Sequence, residues 1–125
     1  MQRIESSFMQ DLGGSIRKYF NFEDIRMMLV EHYADMENWH KHETTSQIIF
    51  VIEGSIVALT ISTDSKSGCK GGIVLHENEF IQIPAGEWHK ISPNTPTTKL
   101  LVMKYKASGT NIIDQLKKDY IHMEI

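Results

Sequence analysis

Three histidines stand at spacings that let their side chains meet at one point. His40 and His42 are separated by one residue in "NWHKHETTSQIIF", and His89 follows much later in "IPAGEWHKI". Residues two apart on a β-strand point to the same face, so His40 and His42 can converge. Imidazole is the commonest metal-ligating side chain in proteins. The three histidines therefore predict a site for one divalent metal ion, with zinc, iron, nickel and manganese all compatible.

Gln47 follows His42 by five residues and can add an amide oxygen to this ligand set. Five is an odd step, which on one continuous strand would turn Gln47 away from the histidines. We expect the intervening "ETTS" to form a bend or bulge that restores the alternation. Gln47, Ile49 and Val51 would then share the inner face with the histidines.

Short β-type runs separated by Gly, Pro, Asn and Ser must position these side chains. The predicted strands are Ile25–Tyr33, Gln47–Ile52, Ser55–Ser62, Gly72–Leu75, Phe80–Ile83, His89–Ser92 and Lys99–Tyr105. Many short strands at regular spacing favour an all-β sandwich or barrel. A chain of 125 residues suits one domain, 1–125, with a core barrel at about 25–107.

The two ends of the chain give weaker patterns. "NIIDQLKKDYIHM" at 111–123 is the best helix candidate, because Asn111 can cap it and its apolar residues recur at helical spacing. The N-terminal "IESSFMQDLGG" is compatible with a short helix or with an extra edge strand, and periodicity does not decide between them.

Composition argues against several classes of partner. The net charge of -3, without a dense Lys/Arg cluster, disfavours nucleic acid. No apolar run approaches the roughly 20 residues that span a bilayer, and "MQRIESSFMQDLGG" lacks the apolar core of a signal peptide. The single cysteine, Cys69, suits a reducing compartment. We therefore expect a cytoplasmic protein with no membrane partner.

The combined spacing resembles the cupin family, whose first motif reads G-x5-H-x-H-x3,4-E-x6-G and whose second reads G-x5-P-x-G-x2-H-x3-N. The residues that match the two motifs are His40, His42, Gly54, Pro84, Gly86 and His89. Gln47 stands at the glutamate position. The resemblance implies an RmlC-like jelly-roll β-barrel with a short C-terminal helix, a metal held by His40, His42, Gln47 and His89, and a homodimer.

Three motif positions differ from the family pattern. Ala34 and Asn78 replace glycines, and Pro93 replaces the final asparagine. Asparagine tolerates left-handed backbone geometry better than most residues, so we expect the turn at Asn78 to survive.

The glutamine removes one negative charge from the ligand set. Three neutral imidazoles and a neutral amide leave the +2 of a divalent ion uncompensated, which strengthens it as a Lewis acid and favours an anionic or enolate-forming ligand. The ligand set is similar to that of uronate-linearising and polyketide-cyclase cupins. This resemblance implies isomerase, cyclase or lyase chemistry, with proton transfer on a small polar or carbohydrate-type molecule.

Two other functions stay open. If Gln47 does not ligate, the open three-histidine site resembles thiol dioxygenases of the same superfamily, which implies an Fe(II) dioxygenase acting on a small chelating substrate. A non-catalytic cupin that binds or senses a metabolite is the third interpretation. All three imply a small-molecule partner.

Two residues are candidates for proton transfer. The uronate enzymes use a carboxylate on the last strand, but here that strand reads "KLLVMKYK", so Tyr105 is the candidate proton donor. Glu87 lies two residues before His89 and can act as a general base, although its position beside a glycine turn favours a solvated loop residue.

The predicted pocket is the mouth of the barrel. Its expected lining is Ile49, Val51, Phe80, Trp88 and Met103, together with Tyr105. Lys104 and Lys106 flank Tyr105 and are expected to point outward; if one of them faced inward, it could bind an anion.

Overall fold

The computed structural model describes residues 1, 3, 8–12, 15–31, 33, 38–61, 70–106 and 120–122, with the backbone alone at 8–12, 70 and 120–122. The strands are β1 Phe8–Leu12, β2 Ser15–Phe22, β3 Ile25–Glu31, β4 His40–His42, β5 Ser46–Glu53, β6 Ile56–Ile61, β7 Lys70–Leu75, β8 Phe80–Ile83, β9 Trp88–Pro93, β10 Lys99–Tyr105 and β11 Tyr120–His122.

These strands form two antiparallel sheets. The first has the order β1-β2-β3-β10-β5-β8, and the second has the order β11-β4-β9-β6-β7. The all-β jelly-roll fold predicted from the sequence is confirmed. Among the described residues there is no helix with the length and apolarity needed to cross a membrane.

Alternation along the strands builds the core between the sheets. In β5, Ile49 and Val51 are buried, whereas Ile48 between Gln47 and Ile49 is only partly covered. Their register partners on β10 are Val102 and Leu100, which are also buried. Paired residues on antiparallel strands point to the same side of a sheet, so these residues line one inner face.

Two tight turns depend on left-handed backbone geometry. Gly54 has a φ of 79°, and a Cβ at this position would lie 2.1 Å from the carbonyl oxygen of Thr97. Only glycine satisfies both conditions, which explains this motif residue. Asn78 has a φ of 67°, as expected from its tolerance of this geometry.

The seven predicted strands are present, with small differences at their ends. The sequence prediction missed β2, and β1 shows that part of the N-terminal segment is an edge strand. The prediction of a C-terminal helix is wrong at its end, because Tyr120–His122 form a strand that pairs with β4. Residues 111–119 of the predicted helix lie outside the described residues. The single domain, the homodimer and the cytoplasmic location stay predictions.

The segment that joins β4 to β5 also differs from expectation. We expected a bulge within one strand, but β4 and β5 belong to different sheets. The chain crosses between the sheets over residues 43–45, with Thr45 buried on the way. Gln47 therefore approaches the histidines from the opposite sheet, and the parity of one strand does not apply to it.

Candidate metal centre

The three histidines form one buried cluster between the sheets. His40 and His42 lie on β4, and His89 lies on β9 directly opposite His40. Each side chain is at most 5% exposed. One ligand atom from each ring lies within 4.8 Å of the others. Three imidazoles this close can together hold a transition metal ion.

Hydrogen bonds to backbone carbonyls orient two of the rings. The Nδ1–H of His40 donates to the carbonyl oxygen of Asn38 at 2.8 Å, and the Nδ1–H of His89 donates to that of Glu87 at 2.9 Å. A carbonyl can only accept, so Nδ1 carries the proton and Nε2 keeps its lone pair. Such outer contacts set the tautomer of metal-ligating histidines.

The second motif turn is tied to the first motif. Gly86 has a φ of 83°, and its N–H donates to the carbonyl oxygen of His42 at 2.7 Å. The neighbouring Ala85 N–H donates to Ser46 Oγ at 3.2 Å. The turn that precedes His89 is therefore attached to both ends of the crossing segment, which fixes the three histidines relative to one another.

Gln47 contacts the cluster from β5. Its side-chain nitrogen lies 2.9 Å from His89 Nε2 and donates to it. Rotation of the amide by half a turn would place the oxygen at the same point. Two ligands about 2.1 Å from a metal and at right angles are about 3 Å apart, so the contact distance suits a fourth ligand.

The cluster is electrostatically suited to a cation only when its rings are neutral. Burial lowers the pKa of His89 to about 4, and the nearby His40 and Lys104 act in the same direction. His89 is therefore a neutral donor across the physiological pH range. Nitrogen donors without a carboxylate, the set found among the described residues, fit zinc, iron or nickel, whereas manganese would depend on an oxygen ligand such as the amide of Gln47.

A cavity of about 460 Å³ opens beside the cluster, between the edge strands β7 and β8. Thr60 in its lining is the register partner of His89, and Ile83 is the register partner of Gln47. The rest of the lining consists of Ala58, Gly71, Gly72, Ile73, Ile81, Gln82 and Glu87. Thr60 and Ile83 are therefore the lining residues next to His89 and Gln47, and none of the three cluster histidines lines the cavity itself.

The two candidates for proton transfer are placed differently. Glu87 lines the cavity and is partly buried. Tyr105 pairs with Ser46 and accepts a hydrogen bond from the exposed Gln82. Tyr105 therefore lies on the outer face of its sheet, opposite to the face that carries Gln47.

Of the residues predicted to line the pocket, some lie on the inner face of a sheet and others on the outer face. Ile49 and Val51 are buried in the core on the inner face. Met103 pairs with Ile48 on the outer face, and Phe80 is 69% exposed. Trp88 alternates outward next to His89, with the Lys41 ammonium 5.1 Å from its ring centre.

Lys104 points inward, contrary to expectation. It is the register partner of Gln47, and Leu100 and Val102 share its parity on β10. Arg26 is its partner on β3 and also faces inward. The sequence offered a signal for Lys104 in the alternation of β10. That signal was ambiguous, because all four residues from Leu100 to Met103 are apolar.

Comparison with known proteins identifies relatives of this architecture. A family model described as "Cupin domain" matches residues 26–103, and no curated protein matches the chain. An oxalate decarboxylase from Bacillus subtilis is similar at a TM-score of 0.74 and 12% identity, covering 98% of this chain and 32% of that one.

Two further solved structures are similar. CapF with the inhibitor 3-isopropenyl-tropolone has a TM-score of 0.71 at 15% identity, covering 94% of this chain and 34% of that one. CENP-C of Drosophila melanogaster bound to CAL1 has a TM-score of 0.62 at 15% identity, with 78% of each chain covered. The chain thus spans about a third of the length of the decarboxylase and CapF, and the likeness shows the fold alone.

Proposed function

This chain belongs to the cupin family, and we propose that it is a metal-dependent enzyme whose divalent ion is held by His40, His42, His89 and Gln47. The observation that carries the proposal is the buried cluster of three imidazoles, two of them with Nδ1 bonded to carbonyl oxygens. Fixing the tautomer in this way leaves the Nε2 lone pair of each of these two rings available to a ligand at the centre.

The proposed reaction is isomerisation, cyclisation or elimination on a small polar or carbohydrate-type molecule. A bound divalent ion supplies Lewis acidity, which polarises an oxygen of the substrate. Gln47 then helps to orient the substrate oxygen from the opposite sheet. The carboxylate of Glu87, in the cavity lining, accepts or returns the substrate proton.

One observation favours a second function. In this structure Gln47 donates its amide N–H to His89 instead of presenting its oxygen to the cluster. If that arrangement persists with metal bound, only three histidines ligate. The site would then suit an Fe(II) dioxygenase whose small chelating substrate occupies the remaining positions.

Metal content tests the site before any substrate is known. The purified protein, reloaded with each candidate metal, is compared with a His40→Ala, His89→Ala double variant by mass spectrometry. We expect one metal ion per chain in the native protein and none in the variant. His76→Ala is the matched control, because His76 is an exposed histidine outside the cluster. Equal metal in the native protein and the double variant would contradict the proposal.

The identity of the metal and of the reaction then separates the functions. Zinc, nickel or manganese with deuterium exchange into sugar acids in D2O supports proton-transfer chemistry. Bound iron with oxygen uptake in the presence of an enediol or thiol supports the dioxygenase. A protein that holds metal but is inert to both classes would be a binding or sensing module, the third function.

A further inference from the structure

The inward-facing register pairs of β6 and β7 become smaller from the core toward the level of His89. In order, these pairs are Ile56 with Leu75, Ala58 with Ile73, and Thr60 with Gly71. The first pair is buried in the core, whereas the second and third pairs line the cavity between β7 and β8. The decrease in side-chain size therefore opens this cavity. Its volume of about 460 Å³ lies in the range of small-molecule sites, roughly 300–1,000 Å³.

Gly71 is a glycine that its backbone conformation does not require. Positive φ angles among the described glycines are confined to Gly54 and Gly86, so Gly71 has a conformation that other residues adopt. A Cβ added at Gly71 would approach Thr60 Oγ1 at 3.1 Å and no other described atom within 4 Å. Glycine weakens a strand and often marks a place where a ligand comes close. The missing side chain therefore keeps space open beside Thr60, the register partner of His89.

The cavity is polar at the level of the histidines and apolar further along the strands. Thr60 is the register partner of His89, and Glu87 precedes His89 by two residues. The lining side chains one alternation further from His89 are Ala58, Ile73 and Ile81. A sugar would place hydroxyl groups against these three side chains, where they would lack hydrogen-bond partners. The lining therefore fits a ligand with one polar end and an apolar body.

We propose that the substrate is a small amphipathic molecule with its polar end beside Thr60 and a hydrocarbon group in the cavity, and that Gly71 determines the size of this group. Gly71 is thus a specificity-determining residue. The proposal deepens the proposed function, because it selects a polar molecule with a hydrocarbon arm over a carbohydrate. It rests on the proposed function only for contact between the polar end and a metal ion.

Calorimetric titration with alkyl hydroxamic acids tests the cavity, because their head group binds a divalent ion while the length of the chain is varied. We expect metal-loaded protein to bind hexanohydroxamic acid more tightly than acetohydroxamic acid. The gain should be up to about fourfold for each methylene that is buried. Gluconohydroxamic acid has the same number of carbons but carries hydroxyl groups on its chain, and it should lack this gain.

Gly71→Val should remove the gain from chain length, because its side chain would occupy the cavity, and should affect acetohydroxamic acid much less. Metal content should not change. Gly72→Val is the matched control, since a Cβ at Gly72 would lie against Leu59 on the outer face of the second sheet. If Gly71→Val does not fold, Ile73→Thr carries the test. Ile73 is 54% exposed, so the strand tolerates this change, and the added hydroxyl should reduce the gain.

A gain that survives in Gly71→Val would overturn the proposal. Equal affinity of the native protein for the acetyl and hexanoyl compounds, or tighter binding of gluconohydroxamic acid, would also overturn it. Repeating the titration after chelation separates the cavity from the metal centre. A gain that depends on Gly71 without metal would support the cavity even if the proposed metal function failed. A gain that depends on Gly71 only with metal present would support both contacts.

Discussion

Two neighbouring rows on the inner face of one sheet have opposite characters. At the barrel mouth, β5, β10 and β3 contribute Gln47, Lys104 and Arg26. Two residues deeper, the same strands contribute Ile49, Val102 and Met28, which belong to or pack against the hydrophobic core. The strands, their register and their alternation are the same. The deeper row therefore stabilises the fold, whereas the row of Gln47, Lys104 and Arg26, here called the mouth row, is available for chemistry.

The second sheet repeats this division. His89 lies at the mouth of β9, and Ile91 lies one alternation deeper and is buried in the core. On β6 the corresponding pair is Thr60, the register partner of His89, and Ala58, which belongs to the core and also lines the cavity. Substitutions in the deeper rows should therefore change stability, and those in the mouth rows should change binding.

The largest expected effect is in the deeper row. Ile49→Ala removes a side chain that is 2% exposed, and the cavity left behind should lower the free energy of unfolding by about 2–5 kcal/mol. Urea denaturation measures it. Ile48→Ala on the outer face is the matched control and should cost clearly less. Equal losses at the two positions would mean that the inner face is not the core.

The stability of the metal-free protein should depend on pH because His89 is buried. His89 has a folded pKa of about 4, below its ordinary value of 6.5, mainly because of burial. The unfolded chain therefore binds more protons between these values, and stability should fall as the pH drops from 6.5 to 4 and stay level above 6.5. The expected loss from this group is about 3 kcal/mol.

Urea denaturation at several pH values after chelation checks this slope. His89→Gln should flatten it, because the titrating group is gone while an amide can still accept and donate hydrogen bonds. An unchanged slope in His89→Gln would show that other groups control acid stability.

A negative charge added at Gln47 should strengthen metal binding. Gln47→Glu introduces a carboxylate beside the three histidines and should tighten metal binding roughly tenfold, because it neutralises part of the +2 charge of a divalent ion. Competition with a chromogenic chelator measures the affinity. Gln82→Glu makes the same change at an exposed position on β8. An equal gain in both variants would assign the effect to net charge instead of the site.

The smallest effect is expected at Tyr105, whose side chain lies on the outer face of the first sheet. Tyr105→Phe removes a hydroxyl on the outer face that bonds only to an exposed partner in the described contacts, so stability should change by less than about 1 kcal/mol. Metal content and activity should not change. Loss of activity in Tyr105→Phe with native metal content would contradict this assignment.

Glu87→Gln, in the cavity lining, should lower activity once a substrate is found.

The sequence was sufficient for the parts of the site that depend on local spacing. His40 and His42 share a face because they are two residues apart, and Asn78 adopts the left-handed geometry that its type tolerates. Gly54 could be identified because it stands at the position of the last glycine in the first cupin motif. Its physical reason, the close approach of Thr97, required the structure.

The parts that failed depend on register and on the sheet to which a strand belongs. Apolar residues occupy both parities of β10, so alternation could not decide whether Met103 or Lys104 faces the pocket. The pairing of Lys104 with Gln47 decides it. β2 was missed because its apolar residues Ile16, Phe20 and Phe22 lie on the outer face. The inward-facing positions are Arg17, Tyr19 and Asn21, so the strand has no apolar inner face that a pattern could mark as core.

Anomalous diffraction from a crystal of the metal-loaded protein, collected at the absorption edge of its metal, shows whether the three histidines hold the ion. We predict one strong peak between the two sheets, about 2.0–2.3 Å from the Nε2 atoms of His40 and His89 and from a ring nitrogen of His42. A peak at any other position, or none between the sheets in protein that retains its metal, would contradict the metal centre.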